Sequence, residues 1–149
     1  MDSKLIVFGL LAFVILCGCT RITGDDTAYK VKLGTPFQIK AGEKAVIESE
    51  KLTLRFTNVT EDSRCPEGVR CIWAGQVSVL ANVDVQGNDL GNFTLTLRPG
   101  ETNLSVKTFG FPYGYTVRLI SADLPYGKKA GYKYDPGDYT AKFEVVSLE

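Results

Sequence analysis

The chain has 149 residues, with 17 Lys and Arg against 17 Asp and Glu, and no histidine. Charge balance without clustered Lys and Arg argues against a nucleic-acid interface. The lack of histidine removes Ser-His and Cys-His nucleophiles, and it leaves too few ligands for a structural zinc site.

Lys4 precedes an apolar run over residues 5–16, interrupted only by Gly9, and Leu16-Cys17-Gly18-Cys19 follows. A basic start, an apolar middle and small residues at the cleavage point form the layout of a secretory signal peptide. A leucine three places before Cys19 and a glycine just before it resemble a lipobox. In that reading residues 1–18 are removed, Cys17 is discarded and Cys19 carries the lipid. More than one acyl chain on that cysteine makes the anchor stable. The alternative is an uncleaved membrane helix, but residues 5–20 span about 24 Å as a helix. A bilayer core is about 30 Å thick, so the run is short for that role.

Residues 20–28 are small, polar and charged without periodicity, and they read with Cys19 as a lipidated start and a tether (19–28). The remainder, 29–149, is long enough for one domain with one core. Its dominant signal is alternation at period two. Val31 and Leu33 face away from Lys30 and Lys32. Phe37 and Ile39 precede the turn Ala41-Gly42-Glu43. Leu52, Leu54 and Phe56 continue the alternation until Val59 breaks it, marking a bulge.

The stretch Asp62-Ser63-Arg64-Cys65-Pro66-Glu67-Gly68-Val69-Arg70-Cys71-Ile72-Trp73-Ala74-Gly75 holds the two remaining cysteines and the sole tryptophan. Five residues with a Pro66-to-Gly68 turn let Cys65 and Cys71 approach within disulfide range. The expected structure is a disulfide loop entering a strand, with Trp73 packed beside it. Thioredoxin-type chemistry uses two intervening residues at a helix N-terminus, and a soft-metal pair lacks further ligands. No metal or cofactor is expected. Asp62 or Ser63 can start the turn, and Arg64 or Arg70 can pair with Asp62 or Glu61. A binding role for Arg64, Arg70 and Trp73 stands beside that structural one.

The run DSRCPEGVRCIWAG resembles the signature of a family of uncharacterised bacterial and archaeal lipoproteins, which share D-S-R-C-P, a short spacer and C-x-W-x-G. Outside the motif the likeness is loose: strand spacing and a closing strand with Tyr139, Ala141 and Phe143. The resemblance implies a disulfide and a lipid anchor, and it carries no activity.

Past the motif, Val77, Val79, Ala81, Val83 and Val85 share one face, and Gln86-Gly87-Asn88-Asp89 turns the chain. Phe93, Leu95 and Leu97 alternate up to Arg98-Pro99-Gly100. Shorter strands follow at Leu104 and Val106 and at Val117 and Leu119. Tyr139, Ala141, Phe143 and Val145 close the chain after the Asp135-Pro136-Gly137-Asp138 turn. Eight or nine short strands with frequent turns predict an all-β fold, an antiparallel β-sandwich rather than a closed barrel.

Two loops are rich in aromatics: residues 109–115, with Phe111 and Tyr113, and residues 125–134, with Tyr126 and Tyr132 among glycines and lysines. Such side chains either cap the sandwich ends or form a contact surface. Lys128, Lys129 and Lys133 fit anionic head groups near the anchor as well. Asn58, Asn92 and Asn103 head glycosylation triplets, which matter only in a host that glycosylates its surface.

The sequence therefore predicts a non-catalytic module, outside the cytoplasm and held on a membrane through its lipid, that binds a protein or glycan with loops at one end. The alternatives are an envelope lipoprotein without a dedicated ligand and a loop-inserting hydrolase inhibitor.

Overall fold

The computed structural model describes residues 28–100, 105–125, 127–131 and 133–148. Among the described residues nine strands follow one another: β1 (Ala28–Lys30), β2 (Phe37–Lys40), β3 (Lys44–Ile47), β4 (Leu52–Asp62), β5 (Val77–Val85), β6 (Asn88–Leu97), β7 (Ser105–Phe109), β8 (Tyr115–Asp123) and β9 (Thr140–Ser147). They form a five-stranded sheet in the order β1-β3-β4-β5-β6 and a four-stranded sheet in the order β2-β9-β8-β7. Every pairing is antiparallel except β1 with β3. The fold is the expected all-β sandwich.

The alternating side chains make the core because successive residues of a strand face opposite sides. Leu52, Leu54 and Phe56 of β4 are fully buried, as are Val79, Ala81 and Val83 of β5. Leu119 of β8 and Phe143 of β9 meet them from the other sheet. Phe56 and Phe143 lie edge to face across the sandwich with centroids 5.8 Å apart, a favoured aromatic geometry. Phe93 and Phe109 stack edge to face at 5.3 Å and close the β6/β7 side.

Val59 marks a bulge as the broken alternation predicts. The β4/β5 register slips between Phe56 and Asn58 and again between Val59 and Glu61. The double slip keeps Val59 buried. It also turns the end of β4 so that Asp62 reaches the second sheet. Asn58, the head of one glycosylation triplet, has its Oδ1 buried at this slip without a hydrogen-bond partner among the described residues.

Two local expectations change. The strand β3 lies between the turn at Gly42 and a 3-10 turn at Glu48–Glu50, in a stretch where Ala45, Val46 and Ile47 are apolar in succession, so that no polar–apolar alternation marks it. The turn after β5 is tighter than four residues: Val85 pairs with Asn88, leaving Gln86 and Gly87 as its centre. Both have positive φ, at 56° and 82°, as a two-residue type I′ hairpin requires.

The sandwich has two distinct ends. Arg64 Nη1 donates to the Ala122 carbonyl at 2.7 Å, so the end of β8 and the cysteine loop share one end. Tyr115, at the start of β8, donates to Glu50 at 2.6 Å, so the hairpin over residues 110–114 and the 3-10 turn before β4 share the other. The length of β8 separates them by about 25–30 Å.

Candidate functional site

The cysteine loop connects β4 to β5 over residues 63–76. Cys65 and Cys71 are joined by a disulfide with Cα atoms 5.8 Å apart, inside the range such a bond needs. The loop is tied down at both ends. Ser63 N donates to the Gln76 carbonyl at 2.8 Å, and Gln76 N donates to Ser63 Oγ at 3.0 Å. Gly75 has φ +68°, and a Cβ there would run into the Ser63 carbonyl. Only glycine fits that close approach, which gives the last position of the motif a physical reason.

Asp62 is the hub of this end. Its side chain is only 5% exposed. Arg64 contacts it three times: Nε to Oδ1 at 3.0 Å, Nη2 to Oδ2 at 2.8 Å and the main-chain N to Oδ1 at 3.1 Å. Tyr139 donates to Oδ2 at 3.0 Å. Lys128 Nζ lies 3.3 Å from Oδ1 and 2.5 Å from the Asp62 carbonyl. Burial opposes ionisation of Asp62, but the hydrogen bonds and charge of Arg64 outweigh it and hold the carboxyl below its usual range. Burial also works against the charge on Arg64, yet its pairing with Asp62 raises the net value. Tyr139 is pushed up to about 12, first by burial and then by the adjacent Asp62 charge.

A carboxylate has about four acceptor positions, and five donor contacts converge on this one. At neutral pH its acceptor positions are all engaged, which leaves it poorly placed to act as a general base or to hold a metal ion. Asp62 is thus a brace between the cysteine loop, the β8–β9 connection and the start of β9. A shallow cleft of about 250 Å³ lies against it, lined by Val59, Thr60, Glu61, Lys128, Tyr134 and Tyr139 among others. Among the described residues no three of His, Cys, Asp and Glu are placed to share a metal ion.

The candidate binding residues fall in different places. Arg64 is absorbed into the brace, in the pairing with Asp62 that its spacing allowed. Arg70 is exposed on the loop. Trp73 corrects an expectation: it is not packed away but is 61% exposed, next to Ile72 at 96%. The reason is the direction of the chain. After Cys71 the loop runs outside the end of the sandwich, and β5 does not begin until Val77, so no sheet covers those two side chains. Tyr113 packs against the core, while Phe111, two residues earlier, is wholly exposed. Cys19, Tyr126 and Tyr132 lie outside the described residues. Loops at a single end thus do not hold all the described candidates: Arg64, Arg70 and Trp73 lie at the disulfide end, Phe111 and Tyr113 at the other.

Lys128 and Tyr139 are the brace residues that sequence reasoning missed. No local spacing points to them, because they meet Asp62 from 66 and 77 positions away. Comparison with known protein families, with curated proteins and with solved structures finds no match to this chain.

Proposed function

We propose that this protein is a non-catalytic sandwich module, held outside the cytoplasm by a lipid on Cys19, that binds a protein or glycan through the hairpin around Phe111. The observation that carries the reading is the placement of Phe111. Its ring has no cover at all, yet the hairpin beneath it is firmly fixed. Tyr113 N donates to the Gly110 carbonyl at 2.9 Å, and Leu148 N donates to the Gly114 carbonyl at 2.7 Å. A large aromatic presented on a fixed turn costs little ordering on binding, as contact residues of recognition loops do. Leu148, also exposed, extends the apolar surface at that end.

The disulfide supports the extracytoplasmic part of the reading, since such bonds persist in oxidising compartments. The saturation of Asp62 argues against that carboxylate as a general base, which is in keeping with the non-catalytic reading.

The test is a glycan array and a peptide-display screen probed with the purified protein and its Phe111→Ser variant. Phe111 is uncovered, so the variant keeps the fold. A ligand captured by the parent and lost by the variant supports the reading. A ligand captured equally by both moves the site away from the hairpin. A module with no captured ligand fits an envelope lipoprotein without a dedicated partner.

A further inference from the structure

The disulfide end carries a second uncovered apolar group. Val69, Ile72 and Trp73 are 46%, 96% and 61% exposed, all on a loop of only 14 connecting residues (63–76). The loop is rigid: the disulfide closes it, Asp62 and Arg64 pin its start, and Glu67 N donates to the Lys128 carbonyl at 2.7 Å. Every other motif position with a clear role serves that rigidity. Ile72 and Trp73 do not, and apolar side chains held out into water by such a frame call for a cover.

The strand register says which way the rest of the chain leaves. β1 runs parallel to β3, with Ala28 level with Lys44. β3 runs against β4, with Lys44 level with Arg55. Followed backwards from Lys30 to Ala28, the chain therefore heads the same way as β4, towards the cysteine loop. Arg55 is opposite Asn82, and Asp62 is opposite Val77. Five steps of β5 then separate the level of Ala28 from the end of the sheet, about 17 Å. Residues 19–27 reach about 30 Å when extended. At Ala28 the chain thus points to the loop's side of the sandwich, and nine residues are long enough for an anchor on Cys19 and the loop to meet one bilayer.

We propose that the loop tip, Val69, Ile72 and Trp73, seats in the interface of the bilayer that holds the anchor, so that the sandwich stands with its disulfide end down and Phe111 outward. This inference rests on the anchored reading. Tryptophan favours the head-group region of bilayers, where its ring is covered and its N–H remains wet. Arg70 on the loop and Lys129 on the neighbouring connection are exposed and suit phosphate groups, while the exposed Glu67 offsets part of that charge. Apolar insertion is therefore the main contact.

Trp73 is the only tryptophan of the chain and reports on its own surroundings. The full chain, extracted from the membranes of its expression host, is reconstituted in phosphatidylcholine–phosphatidylglycerol vesicles with and without brominated acyl chains. Bromolipid should remove at least about half of the Trp73 emission, as expected for a ring at head-group depth. The double variant Val69→Ser, Ile72→Ser should recover most of it, whereas Phe111→Ser should recover none. Intact mass reports acylation of Cys19 in the same sample. An acylated chain whose Trp73 stays open to aqueous acrylamide overturns the inference and leaves the anchor standing. A chain without acyl mass and with an aqueous Trp73 overturns both. Lipid quenching without acyl mass supports the seated loop and removes the lipid on Cys19. Shielding in native membrane fragments but not in pure-lipid vesicles means that a protein covers the loop, and it too overturns the inference.

Discussion

Tyr139 donates its hydroxyl hydrogen to Asp62 at 3.0 Å, and that bond joins the two sheets at the disulfide end. Asp62 is the last residue of β4 in one sheet, and Tyr139 immediately precedes β9 in the other. Tyr115 and Glu50 form a matching carboxylate–hydroxyl bond at the opposite end, at 2.6 Å. A sandwich held mainly by its apolar faces is thereby given a fixed polar clamp at each end. The clamp at Asp62 also ties in the cysteine loop.

Removing the charge at that clamp should be costly. Asp62→Asn leaves Lys128 without its carboxylate partner and Arg64 with only the more exposed Asp123, 4.0 Å away, and breaking such a partly buried pair costs about 3 kcal/mol. Tyr139→Phe removes one hydrogen bond to the charged carboxylate but leaves the ion pairs in place, and should cost about 1.5 kcal/mol. Urea denaturation of the two variants checks the order. Equal effects would mean that the charge on Asp62 contributes nothing beyond its bond to Tyr139.

Stability should fall off on both sides of neutral pH, for different residues. Asp62 titrates below its usual 3.8 in the folded chain. Its contribution is therefore present above about pH 4 and lost as the pH drops through the lower folded value, where the unfolded chain already binds the proton. Tyr115 and Tyr139 are each raised from 10.0 to about 12. For Tyr115 the bond to Glu50 is the larger cause; for Tyr139 burial is. Between pH 10 and 12 the unfolded state releases those protons while the folded state keeps them, so stability decreases across that window. Denaturation midpoints measured against pH should show both limbs, with the alkaline one shallower in Tyr139→Phe.

Gly75 and Gly114 separate backbone conformation from close approach. Both have φ near +70°, but a Cβ at Gly75 meets the Ser63 carbonyl whereas at Gly114 it meets nothing within 4 Å. Gly114→Ala should cost about 1 kcal/mol for the conformation alone. Gly75→Ala adds a backbone clash and should cost about 2–3 kcal/mol. Melting temperatures of the pair give the difference directly.

The disulfide should brace the fold without being required for it. Replacing Cys65 and Cys71 by serine frees a short ring in the unfolded chain, a loss of about 2 kcal/mol in the chain-entropy account. The core residues are far from that ring, so the variant should still unfold in one cooperative step with a lower midpoint. Loss of cooperative unfolding would place the loop within the folding core.

The all-β class, most strands and the bulge at Val59 were determined by the sequence alone, because a strand buried on one face writes its burial as alternation. Val77 to Val85 shows this best. The cysteine pairing and the Arg64–Asp62 bond were legible too, since both lie within a few residues of each other. What only the tertiary structure decided was non-local. Lys128 and Tyr139 meet Asp62 because the sheets bring β4 and the β8–β9 connection to one end. The same stacking sends Trp73 and Phe111 to opposite ends, both uncovered. Exposure of an aromatic depends on what packs over it, and a linear pattern records a residue's own face but not its neighbour across the fold.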